Sequence, residues 1–306
     1  MTADQPAARP AWLAPDLFPF RSRFADVEGA RVHYVDEGSG PPLLLLHGNP
    51  TWSFLYRDVI AGLRDRFRCI APDHPGFGLS TPPPGYGFTP AEHARVIERL
   101  VLDLDLHGVT MMAQDWGGPI GFAAATRHPQ RFAAFVIGNT WAWPKSDPGT
   151  QAFSRLVGGP IGRRLIASRN VFVERILPGA VRRGPLPDGV MAAYRGPFPT
   201  PGSRRPVAVL PREILGSRPF LAEVEAGLGA LRDRPALIVW PTRDPAFGAR
   251  ERERWEALFP DHETRLLEGA GHYIQEDAAG EIVAAIRAWT DRRGGVESAP
   301  PRSSEG

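Results

Sequence analysis

The stretch Val109-Thr110-Met111-Met112-Ala113-Gln114-Asp115-Trp116-Gly117-Gly118 decides how this chain is read. A short apolar run, of the kind found in strands buried on both faces, stops at an acid and passes into glycines. Small residues at Ala113 and Gly117 bracket Asp115, which lets the backbone turn sharply there. The pattern predicts a helix from Gly117 to His128. A strand that turns abruptly into a helix presents the turn residue at the carboxyl end of a sheet, where open α/β sheets bind ligands. The helix N-terminus also favours an anion at that point.

Outward from this turn, strands and helices alternate. Arg31 to Glu37 alternates like a half-buried edge strand, and Leu43-Leu44-Leu45-Leu46 reads as a strand buried on both faces and ending at His47-Gly48. Ser53 to Arg66 reads as a helix, Arg68 to Ala71 as a strand, Ala91 to Leu106 as a helix and Ala133 to Ile137 as a strand. The rhythm breaks after Asn139. From about 140 to 225 the chain carries short amphipathic pieces, many Pro and Gly, and no convincing buried strand. Strands return at Ala236 to Trp240 and Glu263 to Leu267, and a helix from Ala278 to Arg292 follows. The expected fold class is α/β: a doubly wound, mostly parallel central sheet with an inserted helical cap. The expected organisation is an N-terminal arm over 1–20, a core over 21–139 and 226–293, a cap over 140–225, and a disordered tail over 294–306.

Composition narrows the function classes. The chain has 306 residues, 42% of them hydrophobic, which suits one large domain carrying an insertion. Net charge is only +2, and the arginines of Arg250-Glu251-Arg252-Glu253-Arg254 alternate with acids as on a solvated helix face. No basic run interleaved with aromatics supports nucleic-acid binding. No apolar run is long enough to span a membrane, and the first residues lack the pattern of a signal peptide. Cys69 is the single cysteine, so no intramolecular disulfide can form, which fits a reducing cytoplasm. The tryptophan-rich cap and arginine-rich surface permit a homo-oligomer without specifying one.

A carboxylate at the turn has a definite chemical use. A serine alkylated by an sp3 carbon becomes an ether, which water does not readily cleave. An aspartate alkylated in the same way becomes an ester, whose carbonyl water can attack. That water needs a base oriented by an acid. Gly269-Ala270-Gly271-His272 follows the last strand, and Asp244 follows the strand before it. The order nucleophile, acid, histidine is that of α/β-hydrolases. Backbone amides of Trp116 and Asn49 are the expected oxyanion donors. The plainer readings are that Asp115 caps a helix, that His272 is a satisfied structural histidine, and that Asp244 caps a loop. Asp73 and His47 read as structural braces. Trp141, Trp143, Phe153 and Phe172 read equally as pocket lining or cap packing.

His47-Gly48-Asn49-Pro50-Thr51-Trp52-Ser53, Asp73-His74-Pro75-Gly76-Phe77-Gly78-Leu79-Ser80 and Gln114-Asp115-Trp116-Gly117-Gly118 together resemble the haloalkane dehalogenases. The likeness spans roughly residues 20–292, and Leu210-Pro211-Arg212-Glu213-Ile214 is similar to a cap segment of that family. It implies the α/β-hydrolase fold and hydrolysis of a haloalkane to an alcohol, a halide ion and a proton, with no metal or organic cofactor. It also implies that the Trp116 indole and the Asn49 side-chain amide hold the departing halide. Some members place the acid after the strand that ends here at Ile137-Gly138. This chain has Asn139-Thr140-Trp141 there, so the acid role goes to Asp244, and the pattern is most similar to the third subfamily. The alternative is an epoxide hydrolase using the same Asp115, His272 and Asp244. That chemistry usually takes two cap tyrosines, and only Tyr194 falls in the expected cap.

Overall fold

The computed structural model describes residues 9–294. Its strands are β1 (Arg23–Val27), β2 (Ala30–Glu37), β3 (Pro42–Leu46), β4 (Arg68–Pro72), β5 (Val109–Asp115), β6 (Phe132–Thr140), β7 (Ala236–Pro241) and β8 (His262–Leu267). They form one eight-stranded sheet in the order β1-β2-β4-β3-β5-β6-β7-β8. β1/β2 and β2/β4 are antiparallel, and every later pair is parallel. The strand order reverses at β3, so a crevice opens beyond the carboxyl ends of β3 and β5. Leu43 to Leu46 in β3 are 0–1% exposed, and each such leucine contributes about 1.5–3 kcal/mol of apolar burial. Arg31 to Glu37 lies in β2, which is not an edge: β1 covers it. β1 escapes the sequence pattern because most of its residues are only half-buried and no apolar alternation marks it.

A 3-10 turn at Ser53–Tyr56 leads into α1 (Arg57–Leu63), so the helix read from Ser53 to Arg66 is two shorter pieces. α2 (Pro90–Asp103) starts at a capping box in which Thr89 and Glu92 satisfy each other's backbone amides. α3 (Gly117–Arg127) follows β5 directly. Between β6 and β7 the chain is helical: α4 (Pro148–Val157), α5 (Pro160–Arg169), a π-helical turn at Phe172–Ile176 running into α6 (Leu177–Ala180), α7 (Asp188–Arg195), α8 (Arg205–Gly216) and α9 (Arg218–Gly227). Prolines sit in the first turn of α4, α5, α8 and α9, where the missing N–H costs nothing. Several of the prolines that obscured this segment in the sequence are therefore helix starts, whereas Pro211 lies inside α8. α10 (Ala249–Leu258) and α11 (Ile274–Arg292) complete the chain. α11 begins four residues before the expected start because a non-helical residue, Ala278 (φ −146°, ψ 29°), kinks it. No helix among the described residues is long and apolar enough to cross a membrane. The expected tail lies outside the described residues from position 295, as do residues 1–8 of the expected arm.

A buried ion pair between α1 and α11 anchors the inserted helices through a tyrosine of α7. The Arg57 guanidinium on α1 donates to both Glu276 oxygens on α11, at 2.5 and 2.7 Å. The Tyr194 hydroxyl on α7 donates to the same carboxylate. The side chains of Arg57 and Glu276 are 10% and 3% exposed, so neither charge has much water to fall back on. Removing one member of such a pair strands the other. Glu276→Ala is expected to cost about 3–5 kcal/mol in urea unfolding. Tyr194→Phe is expected to cost about 1 kcal/mol, since the bidentate pair survives. Equal losses in the two variants would contradict this ranking.

Candidate active site

Asp115 has φ +51°, a left-handed conformation that is costly for a residue with a Cβ. Contacts on every side hold it there. The Thr140 hydroxyl at the end of β6 donates to the Asp115 carbonyl at 2.5 Å. A Cβ at Gly117 would stand 2.1 Å from the Leu46 carbonyl oxygen, and one at Gly48 would stand 2.4 Å from the Asp115 side chain. Both positions thus need glycine for close approach. The Asn49 amide donates to Asp115 Oδ1 at 2.9 Å, and the Trp116 amide also donates to this carboxylate. Both backbone donors named from the sequence therefore converge on Asp115. The Asn49-Pro50 peptide bond is cis.

His272, on the loop between β8 and α11, is 9% exposed. Its Nδ1 is 3.0 Å from Asp244 Oδ2, and its Nε2 is 3.7 Å from Asp115 Oδ2. The contact to Asp244 assigns the proton to Nδ1 and leaves Nε2 with its lone pair toward Asp115. The Asp244 side chain is fully buried. Its Oδ1 accepts from the Ala246 amide at 2.7 Å, and its Oδ2 also accepts from the Asn139 side-chain amide at 2.5 Å. Burial pushes the Asp115 carboxyl above its ordinary value, against the His272 charge and the two backbone amides. At Asp244 burial pushes the same way, but the His272 charge and hydrogen bonds from His272, the Ala246 amide and the Asn139 side chain outweigh it, so its pKa is lowered. Burial disfavours the His272 cation, yet Asp244, with Asp115 adding to it, raises that pKa above the ordinary value.

Sequence reasoning did not foresee two amides that fix the histidine backbone. Asn139 Nδ2 and Gln114 Nε2 donate to the His272 carbonyl at 2.6 and 3.0 Å. Gln114 had one available signal, its place immediately before Asp115. Phe247 was also missed: its ring stacks on His272 (5.8 Å between centroids, 14° between planes) and on Trp141 (5.4 Å, 28°).

These groups open onto a cavity of about 280 Å³. Asn49 and Trp116 line it, with Trp141, Phe153 and Phe172, whereas Trp143 packs against Trp255 instead. The Asn49 amide spends one N–H on the Val207 carbonyl of α8, at 3.3 Å, and an amide has a second to offer. The Trp116 indole N–H has no protein partner among the described residues. Asp73 is a structural brace: it accepts from the Ser53 and Leu79 amides at 2.7 and 2.8 Å and contacts His33 Nδ1 at 2.8 Å. His47 accepts from the His74 amide at 3.0 Å, and burial lowers its pKa to about 4 against the opposing charge of Asp73. Tyr194 is fully buried on Glu276 and does not line the cavity. Tyr273 does line it, but its hydroxyl donates to the Asn49 carbonyl at 3.2 Å. The tyrosine pair that epoxide opening usually takes is therefore missing from this cavity among the described residues.

Residues 41–279 match the family model described as the alpha/beta hydrolase fold. Haloalkane dehalogenase 2 of Mycobacterium tuberculosis is 50% identical over 277 residues, covering 89% of this chain and 96% of that protein. A cis-3-alkyl-4-alkyloxetan-2-one decarboxylase of Shewanella oneidensis is 32% identical over 281 residues, covering 89% and 88%. The crystal structure of haloalkane dehalogenase DbeA from Bradyrhizobium elkani superposes with a TM-score of 0.81 at 27% identity, covering 89% of this chain and 98% of that one. A strand-to-helix turn carrying an aspartate, the histidine and acid that face it, and this degree of likeness lead to one statement: the chain belongs to the haloalkane dehalogenase family of α/β-hydrolases.

Proposed function

We propose that this protein hydrolyses the carbon–halogen bond of haloalkanes through an alkyl ester on Asp115. The observation that carries the reading is the Asp115 carboxylate itself. One oxygen is held by the Asn49 amide, the other stands 3.7 Å from His272 Nε2, and both sit in a cavity walled mainly by aromatic and aliphatic side chains. Burial of the carboxylate without a cation in direct contact keeps it poorly solvated, which favours attack on an electrophilic carbon.

In the first step an Asp115 oxygen bonds to the sp3 carbon, and the halide leaves with the bonding pair. The Trp116 indole and the second Asn49 amide hydrogen are the donors offered to it. In the second step His272 Nε2 takes a proton from water while the oxygen attacks the Asp115 carboxyl carbon. The charge that develops on the ester oxygen falls to the Asn49 and Trp116 amides, and Asp244 stabilises the imidazolium. Collapse returns the carboxylate and releases the alcohol, and His272 then loses its proton. Haloalkane and water give alcohol, halide and a proton. Esterification removes the Asp115 charge, one of the causes that raise the His272 pKa, so the base is more readily neutral at the step that needs it. The inserted helices act as the cap that walls this cavity, with the core on either side of them in sequence.

The test is halide release from brominated and iodinated alkanes, run beside an epoxide and a cis-dialkyl oxetanone. Asp115→Asn is expected to lower halide release by roughly a thousandfold or more. His272→Phe is expected to stop turnover after one equivalent of halide, with the alkyl group on Asp115 visible by mass spectrometry. Carbon dioxide from the oxetanone, or diol from the epoxide, with no halide from any haloalkane would reassign the substrate.

The pH dependence follows from the same charges. Turnover is expected to fall as pH drops through the raised His272 pKa, because the imidazolium cannot accept a proton. Asp244 and, behind it, Asp115 raise that value, so in Asp115→Asn the His272 imidazole should titrate at lower pH than in the wild type. Imidazole proton shifts followed by NMR read this directly, and an unchanged midpoint would refute the coupling.

A further inference from the structure

Lys145 is the only lysine in a chain whose lysines and arginines number 36. It is 5% exposed and lines the same cavity as Asp115 and His272. Its ammonium donates to Glu251 Oε1 at the start of α10. Asp147 Oδ2, at 3.9 Å, is beyond hydrogen-bond distance, and its other oxygen caps α4 through the Thr150 amide at 2.8 Å. An ammonium carries three N–H donors. Two of them meet no protein acceptor among the described residues, in a side chain 6% exposed. A buried donor without an acceptor is costly, so whatever fills this end of the cavity is favoured if it brings an acceptor atom.

The placement also fixes the distance to the chemistry. The Lys145 ammonium lies 5.2 Å from the centre of the Phe247 ring, and the His272 ring is stacked 5.8 Å from that centre. The ammonium and the His272 ring centre are therefore at most about 11 Å apart, and both residues line one cavity. We propose that Lys145 is a specificity-determining residue that selects haloalkanes carrying a neutral oxygen acceptor, an ether or hydroxyl, remote from the carbon–halogen bond. The charges around it set the neutral class. A carboxylate end would compete with Glu251 for the ammonium and would face Asp147. An ammonium end would meet Lys145 itself. An ether or hydroxyl oxygen accepts a spare N–H without disturbing the Lys145–Glu251 pair. The rest of the cavity, lined by Trp116, Trp141, Phe172 and Phe247, accommodates the apolar body between the two ends. This inference rests on the dehalogenase reading for its substrate, and its binding test does not.

The experiment compares terminal bromoalkanes with length-matched analogues that end in a methoxy or hydroxyl group, over a series of chain lengths. The proteins are the wild type, Lys145→Met and the double variant Lys145→Met/Glu251→Gln. The double variant removes both charges together, so it leaves no buried carboxylate unpaired if the single variant fails to fold. At the best chain length the wild type is expected to prefer the oxygenated analogue about tenfold in kcat/KM, through KM, with kcat nearly equal. Both variants should lose that preference while processing the plain bromoalkanes as before. Binding of the matching diols and simple alcohols, followed by quenching of tryptophan fluorescence, gives the same comparison without chemistry. A wild type that shows no preference at any length, or a preference that survives in the double variant, overturns the proposal. A Lys145-dependent preference for diols in binding, with no halide released from any substrate, supports this role of Lys145 and rejects dehalogenation instead.

Discussion

The candidate site in this molecule depends on one backbone angle. Asp115 is held with φ at +51°, so the chain leaves β5 and enters α3 without a linking loop. The strain is of the order of 1–3 kcal/mol, and the surroundings must over-determine it. They do so with the Thr140 hydroxyl on the Asp115 carbonyl and with two glycines, Gly48 and Gly117, that let neighbouring backbone come within contact distance. The same turn aims the carboxylate at the loop after β3. The donors that hold Asp115 and the glycine that makes room for it thus come from strands that pair directly, β3 with β5 and β5 with β6.

A buried nucleophile and a buried base need their charges set by fixed neighbours rather than by water. Asp244 is held low by donors from His272, Ala246 and Asn139, so it remains anionic behind the imidazole. Asp115 has two backbone amides and no cation in direct contact, and burial lifts its pKa. Two carboxylates flank one histidine, and their surroundings push their pKa values apart, which suits the proposed division between orientation at Asp244 and attack at Asp115. The histidine is fixed by its ring and by its backbone. Asp244 holds Nδ1, and the amides of Asn139 and Gln114 hold the His272 carbonyl. Asn139, near the end of β6, reaches the same histidine. Here its amide serves both Asp244 and the His272 backbone.

The site was largely legible in the sequence because its main parts are local. Asp115, Trp116 and the flanking glycines form one short motif, and Asn49 and His272 each sit in a glycine-bearing loop directly after a strand. Strand ends, once ordered along a parallel sheet, predict which loops share a crevice. Residues whose role depends on the fold were not legible. Phe247 reads as an ordinary loop aromatic until its ring is found against His272. Tyr194 reads only as the one tyrosine of the expected cap until its hydroxyl is found on Glu276. β1 carries no alternation and is a strand only because β2 offers it a ladder.

By itself the sequence determined the strand-to-helix turn that carries Asp115, the alternation of strands and helices that makes a mostly parallel sheet, and the break at which helices are inserted. Each of these is written in residue type and periodicity over a few positions. Only the tertiary structure decided which wall each cap aromatic occupies, how Asn139 and Gln114 are used, and that Lys145 is buried beside the reacting groups. These are contacts between segments far apart in the chain, 133 residues between Asn139 and His272 and 158 between Gln114 and His272. No local pattern encodes such a contact, because the free energy that selects it comes from burial and hydrogen bonding that exist only once the sheet has brought the segments together.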